Sequence, residues 1–348
     1  VEPFILDSDT PSQPTEFELK LYINGKKYIY QLILSPKDIL SEKLHVYNSN
    51  QPSLLMHREL VDSNTALKFN QSLIKVSAAV KDELTAKCLK NMSLFAARKA
   101  VNCNLGEIDD VRDWMINHTL PVIDLGQKMF NYAERNMLEN PDAKKHLLDF
   151  CHNIGFNIED MAVEKDYMSL TPEMIQFIKS SGQLSDENAS KLSKDPKMPN
   201  GFKTDFIVSV INKRGKEIYT LPKASQSEGT LRAMGIETAL YVAEQNNKLL
   251  PIDEIETSMH PLLLKFMIQS FLKVQSRSQL LLTTHYDPLF TAVDDYLRKD
   301  SFWLMDKRDD GHSELYPLIS KNGVNKMRSL QRAYLNNKLG ALPQIANV

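Results

Sequence analysis

Short apolar runs alternate with helix-periodic segments between residues 201 and 318, and that alternation limits the chain to few folds. Thr204 to Ile211 and Glu217 to Leu221 read as two strands around the turn Asn212-Lys213-Arg214-Gly215. Leu231 to Gln245 reads as a helix and Leu249 to Asp253 as a buried strand. His260-Pro261 then opens an amphipathic helix carrying Leu263, Phe266, Met267, Phe271 and Val274, and Gln279 to Thr283 is a second buried strand. Ser301 to Asp306 and Glu314 to Leu318 read as a closing pair of strands. Strand, helix, strand, helix in this order argues an α/β core with parallel strands.

The preceding residues are of another kind. Phe17 to Ile23, the turn Asn24-Gly25 and Lys27 to Leu34 predict a β-hairpin, with Leu44 to Tyr47 as a third strand. From about 73 to 150 the apolar spacing turns helical, as in Asp110 to Ile116 and Val122 to Met137. Asn140-Pro141-Asp142 predicts a capped helix start, with a helix over roughly 142 to 153. Residues 180 to 203 are polar, dotted with Lys191, Lys194, Lys197 and Lys203 and broken by Pro196 and Pro199, and read as a loop or flexible insert. Three segments follow: a β-rich 1–72, a helical insertion and linker 73–200, and an α/β lobe 201–348.

With 348 residues there is room for two domains, or for one with an insertion. A hydrophobic share of 42% and a charged share of 25% are those of an ordinary soluble globular protein. The formal charge of −2 gives no general attraction to nucleic acid or to a membrane, so any basic patch must be local. No apolar run approaches the ~18 residues of a membrane span, and no secretory signal is present. Cys88, Cys103 and Cys151 are odd in number and widely spaced, which argues against a disulfide framework or a zinc site and for free thiols in a cytoplasmic setting. The chain opens on Val1 without a methionine, and we expect its natural N-terminal segment to be missing.

Chemistry gathers around Asp253-Glu254. Ser227 lies 26 residues before Asp253, and His285 lies 31 residues after Glu254. A buried strand delivers its C-terminal end to the ligand-binding edge of an open α/β sheet. Asp253 there is suited to hold Mg²⁺, and Glu254, facing the other way along the pleat, to activate a water aimed at a γ-phosphate. Ser227-Glu228-Gly229-Thr230 opens a helix and offers N–H groups and a hydroxyl to an anion. His285, in Thr283-Thr284-His285, can hydrogen-bond a phosphate. Each element also has a plainer reading: an acidic turn, an ordinary serine cap, a structural histidine. Pro251 counts against the strand, because it removes a ladder donor two residues before Asp253.

Ser-x-Gly before a helix, a strand ending in Asp-Glu and a strand ending in Thr-His together resemble the second half of an ABC-type ATPase head, on its SMC/RecF-like side. In that resemblance Ser227 to Thr230 match the signature motif, Leu249 to Glu254 the Walker B strand, Glu256 to His260 the D-loop and His285 the switch histidine. Gln226, Glu228 and Thr230 replace the usual leucine, first glycine and glutamine of the signature. Further matches narrow the likeness to bacterial ATP-binding proteins of abortive-infection and phage-defence loci. They are Tyr28-Ile29-Tyr30, Ile39 to Leu44, Met56-His57-Arg58, Ser93-Leu94-Phe95, Asp253 to Pro261, Ala333-Tyr334-Leu335 and Gly340-Ala341-Leu342-Pro343.

The resemblance implies an ABC-ATPase-like head with a mainly antiparallel β subdomain, a parallel-strand α/β core and a helical insertion. It also implies ATP and Mg²⁺ as ligands and a homodimer or higher homo-oligomer that sandwiches the nucleotide. Asp253 would be the metal ligand and Glu254 and His285 the catalytic pair, facing Ser227, Glu228, Gly229 and Thr230 of a second subunit. An effector encoded in the same locus, a nuclease or toxin, is the expected partner. One departure is large: no Gly-x-x-x-x-Gly-Lys-Ser/Thr loop occurs in these 348 residues. An inactive, partner-binding scaffold is therefore the rival reading. An SMC-like DNA-repair ATPase ranks lower, since the helical region is short and without sustained heptads.

Overall fold

A computed structural model describes residues 2–181, 185–212, 214–293 and 295–342. They form two compact units, residues 1–119 with 288–348 and residues 120–287. The first begins with five strands, β1 (Thr15–Ile23), β2 (Lys26–Leu34), β3 (Ile39–Tyr47), β4 (Ser53–Val61) and β5 (Asn64–Phe69). They lie side by side in chain order, and each pairs antiparallel with the next. The β1–β2 turn is the expected one. Asn24 and Gly25 both have positive φ, 50° and 80°, as the tightest hairpin turns require. β4 and β5 extend the sheet beyond the three strands read from sequence.

Three helices, α1 (Ala78–Lys87), α2 (Leu94–Ala97) and α3 (Glu107–Asn117), cover one face of this sheet. Leu21, Tyr28, Leu44, Val46, Leu55 and Met56 form its core with Leu84, Leu94, Leu105 and Ile108. Two fully buried charges lie within it, on paired positions of β3 and β4: Glu42 and Arg58. Arg58 donates to the carbonyls of Ile39, Leu89 (3.2 Å) and Lys90 (2.8 Å). Glu42 accepts from the Tyr30 hydroxyl at 2.9 Å and the Leu94 N–H at 2.6 Å. Burial raises the Glu42 carboxyl above its ordinary range.

The second unit starts with α4 (Phe130–Glu139) and α5 (Pro141–Asn153). The Asn140 side chain caps α5, accepting from Asp142 and Ala143, as the Asn-Pro-Asp start predicts. Next come β6 (Ile158–Ser169), α6 (Pro172–Ser180), α7 (Asp186–Lys194), β7 (Lys197–Asn212) and β8 (Gly215–Pro222). β6, β7 and β8 make an antiparallel sheet in that order. The loop expected over 180–203 is corrected here, although residues 182–184 lie outside the described ones. Ser185 caps α7 by accepting from the Asn188 N–H, and β7 begins at Lys197. The polar composition misleads because this end of β7 is exposed and takes its hydrogen bonds from distant β6, pairing Met198 with Met168. Lys213, in the expected β7–β8 turn, is likewise outside the described residues.

α8 (Glu228–Asn246), β9 (Leu249–Ile252), α9 (Pro261–Lys273) and β10 (Gln279–Leu282) complete this unit. β9 and β10 are parallel, with Ile252 opposite Leu282, and α9 is their crossover. Both were expected to be buried, and only β9 is. Leu250 and Ile252 are each 1% exposed, whereas Leu281 of β10 is 60% exposed. The reason is neighbours: β9 also bridges Ile123 on its far side, whereas β10 pairs only with β9 among the described residues.

That far-side pairing shows where the donor absent at Pro251 would have pointed. Ile123 donates to the Pro251 carbonyl (3.0 Å), and Asp253 donates to the Ile123 carbonyl (2.8 Å). β10 bonds instead to the carbonyls of Lys248 and Ile252. By the two-residue alternation of a strand, the N–H that proline lacks would have pointed away from β10. No β9–β10 bond is lost.

The chain returns to the first unit with β11 (Trp303–Lys307) and β12 (Ser313–Pro317), the closing antiparallel pair. α10 (Leu330–Leu335) follows and packs Leu330 and Ala333 with Leu304, Leu318 and Leu339. Pro343 of the sequence-matched tail lies outside the described residues.

Candidate functional site at the ends of two parallel strands

Every catalytic, cofactor-binding or metal-binding residue read from the sequence lies in the second unit, at the C-terminal ends of β9 and β10 or at the start of α8. Because Ile252 pairs with Leu282, the next residues along, Asp253 and Thr283, come out side by side. The Thr283 hydroxyl donates to the Asp253 carboxylate and accepts the Glu254 N–H at 2.9 Å. One threonine thus holds both residues of the doublet.

Glu254 does not continue the pleat. Its φ of 44° puts it in the left-handed region, so the chain turns sharply as it leaves β9. The expectation that Glu254 faces the other way along a strand is therefore corrected: its direction comes from a turn. Ile255, fully buried, anchors the turn from beneath and donates to the Thr283 carbonyl at 3.3 Å. The Glu254 carboxylate then lies 3.8 Å from Nε2 of His285 and accepts from the Thr257 hydroxyl at 3.4 Å. The His285 side chain is 86% exposed.

Glu256 makes a second bridge between the strand ends. One carboxylate oxygen accepts the Thr284 hydroxyl at 2.6 Å, and the other accepts the His285 N–H at 2.7 Å. At the end of the loop His260 caps α9, its Nδ1 accepting the Leu262 N–H at 3.2 Å. Sequence reasoning named Glu256 only as the start of a loop and gave no role to Thr283 or Thr284. Their polarity at the ends of two adjacent strands was the available clue.

The start of α8 is tied to the same loop. Ser227 caps the helix by accepting the Thr230 N–H at 3.1 Å, and its hydroxyl lies 2.8 Å from that of Thr230. Glu228 is exposed, with Gly229 and Thr230 half-buried. A Cβ on Gly229 would stand 2.3 Å from the Ser258 carbonyl oxygen, so this glycine is required by the close passage of the loop. Ser258 itself has a φ of 61°. One turn further on, the buried Arg232 reaches toward the carbonyls of Asp124 and Glu254, each at 3.5 Å, while its Nε has no partner. Desolvation lowers the pKa of this guanidinium from its usual value.

The structure therefore brings Asp253, Glu254 and His285 together and sets the start of α8 against the loop that follows them. Asp253 and Thr283 present oxygen donors of the kind magnesium takes. Among the described residues, no group of three or more His, Cys, Asp or Glu side chains forms a cage for a metal. None of the described helices is long and apolar enough to cross a membrane. Compared with known protein families, residues 1–291 match the one described as "AAA domain, putative AbiEii toxin, Type IV TA system". A search of curated proteins finds no match.

Proposed function

The chain belongs to that AAA-domain family of abortive-infection type, and from this premise we propose that it is the ATP-hydrolysing subunit of a bacterial phage-defence system. Its ATP-driven association would control an effector protein, a nuclease or toxin of the same locus, in the cytoplasm. The observation that carries this reading is the joining of Asp253 and Glu254 to Thr283-Thr284-His285 at two parallel strand ends. Magnesium takes one or two carboxylates and fills its shell with water and phosphate oxygens, so Asp253 beside the Thr283 hydroxyl fits it. Bound ATP would supply the phosphoanhydride bond to be cleaved.

Within this reading Glu254 accepts the proton of the attacking water, and Asp253 holds the cation directly or through water. His285 donates to the terminal phosphate. Ser227, Glu228, Gly229 and Thr230 head a helix whose first N–H groups suit an anion. That anion is assigned to nucleotide held by a second copy in a homodimer or higher homo-oligomer. No Gly-x-x-x-x-Gly-Lys-Ser/Thr loop occurs in these 348 residues, so the reading gives them the cation, the attacking water and the terminal phosphate contacts but not the triphosphate cradle.

In the full-length protein, Glu254→Gln is expected to bind ATP and associate as the wild type does, while turnover falls by about 100-fold or more. Undiminished hydrolysis would remove Glu254 as the general base. The rival is a scaffold without turnover, favoured by the use of the Ser227 hydroxyl as a helix cap. A titration of the full-length protein with ATP, with and without Mg²⁺, separates the two, since the scaffold reading expects no magnesium-dependent binding.

A further inference from the structure

His285 presents a mechanical problem. An imidazole that is 86% exposed has little packing to hold it, yet its Nε2 stands 3.8 Å from the Glu254 carboxylate. Its place must then be fixed through the main chain. Thr283 is fixed by its own hydroxyl and by the Ile255 N–H, but both contacts act two residues before the histidine. Glu256 is the side chain that reaches further. It accepts from the Thr284 hydroxyl and from the backbone N–H of His285, at 2.6 and 2.7 Å, with one oxygen for each.

Glu256 is itself well anchored. It follows Ile255, which is fully buried, and its carbonyl accepts the Met259 N–H at 3.0 Å. Hydrogen bonds to a carboxylate are stronger than those between neutral groups, so two of them give a firm hold on a peptide at the protein surface. We propose that Glu256 is a positioning residue that sets His285 against Glu254 by clamping the Thr284–His285 peptide, through these two bonds. The proposal rests on the ATPase reading for its consequence in turnover, and on geometry alone for the clamp.

The geometry distinguishes a clamp from a mere acidic surface. Both partners of Glu256 are donors. In Glu256→Gln the side chain keeps its length but loses its charge, so the His285 N–H meets a neutral oxygen and the Thr284 hydroxyl has to turn and accept from the new NH₂, which weakens the hold on both. Glu256→Asp keeps both acceptor oxygens on a stem one methylene shorter.

In the full-length protein, Glu256→Gln is expected to lower kcat for ATP by about 10-fold or more while KM changes by less than about 2-fold, as misplacing a group near the reacting atoms does. Combined with His285→Ala it is expected to add nothing, because the clamp acts only through that histidine. If the two losses multiply, Glu256 acts elsewhere and the proposal is overturned. A second measurement does not depend on turnover: exchange of the His285 amide proton should be about 10-fold faster in Glu256→Gln than in wild type, with Glu256→Asp between them. Equal exchange rates in all three proteins would also overturn the clamp. Should wild-type turnover be no greater than that of Glu254→Gln, the ATPase reading fails by itself, and amide exchange still decides the role of Glu256.

Discussion

In the β1–β5 sheet every strand pairs with the one before it in the chain, and Glu42 and Arg58 lie inside, each with hydrogen-bond partners around it. In the β9–β10 pair the strands are 26 residues apart, parallel and, among the described residues, two in number, and the charges stand at their ends, half-buried or exposed. The first arrangement is closed: hairpin turns make it locally, and helices cover its inner face. The second leaves polar ends that the surrounding loops hold without covering. Burying a charge fixes it at the cost of its chemistry, whereas holding it by hydrogen bonds at a surface keeps it available.

The largest test of this contrast is Arg58→Met. It removes the bonds that the guanidinium gives to the carbonyls of Ile39, Leu89 and Lys90, of which Leu89 and Lys90 each keep another donor, the N–H of Met92 and of Ile39, and it takes a positive charge from the neighbourhood of Glu42. Stability should fall by about 2–4 kcal/mol, as when buried acceptors lose a charged donor, read as a lower urea midpoint at unchanged slope. A loss below about 1 kcal/mol would mean that the buried charges are held no more firmly than the exposed ones. Gly229→Ala should have a middle-sized effect. Alanine favours a helix by up to about 1 kcal/mol over glycine, but here its Cβ meets a backbone oxygen that cannot step aside cheaply. A net loss of about 1–2 kcal/mol is expected by the same denaturation, and a gain would show that the loop yields. The smallest effect belongs to Leu281→Lys, which should stay within about 0.5 kcal/mol of wild type because the side chain is already in water. A loss of about 2 kcal/mol would show that β10 is covered in solution, and would make the two sheets more alike than they look.

Local chemistry was legible from the sequence. Asn24-Gly25, Asn140-Pro141 and His260-Pro261 each state their geometry within two residues, and the structure follows them. The α/β alternation was legible too, because α9 spans the distance between two parallel strands. What could not be read depended on partners far along the chain. The opening residues of β7 look like a loop until β6 pairs with them, and β10 looks buried until it is seen to pair, among the described residues, with β9 alone. At the site the residue types Asp253, Glu254 and His285 could be picked out and came together. The left-handed turn at Glu254 and the roles of Thr283, Thr284 and Glu256 could not, since each depends on hydrogen bonds across about 30 residues of sequence.

Pro251 has a further consequence for how the chain finds this arrangement. A four-residue parallel pair has few bonds with which to choose its alignment, and a slip by one residue would send every side chain to the opposite face. In the slipped pairing the proline would turn its imino nitrogen toward β10, where a donor is needed. The misaligned pair would then start one bond short, before any side chain had been compared. The residue that first argued against a strand behaves as a key cut for one orientation of the lock: it costs the correct β9–β10 alignment no bond and obstructs its nearest competitor.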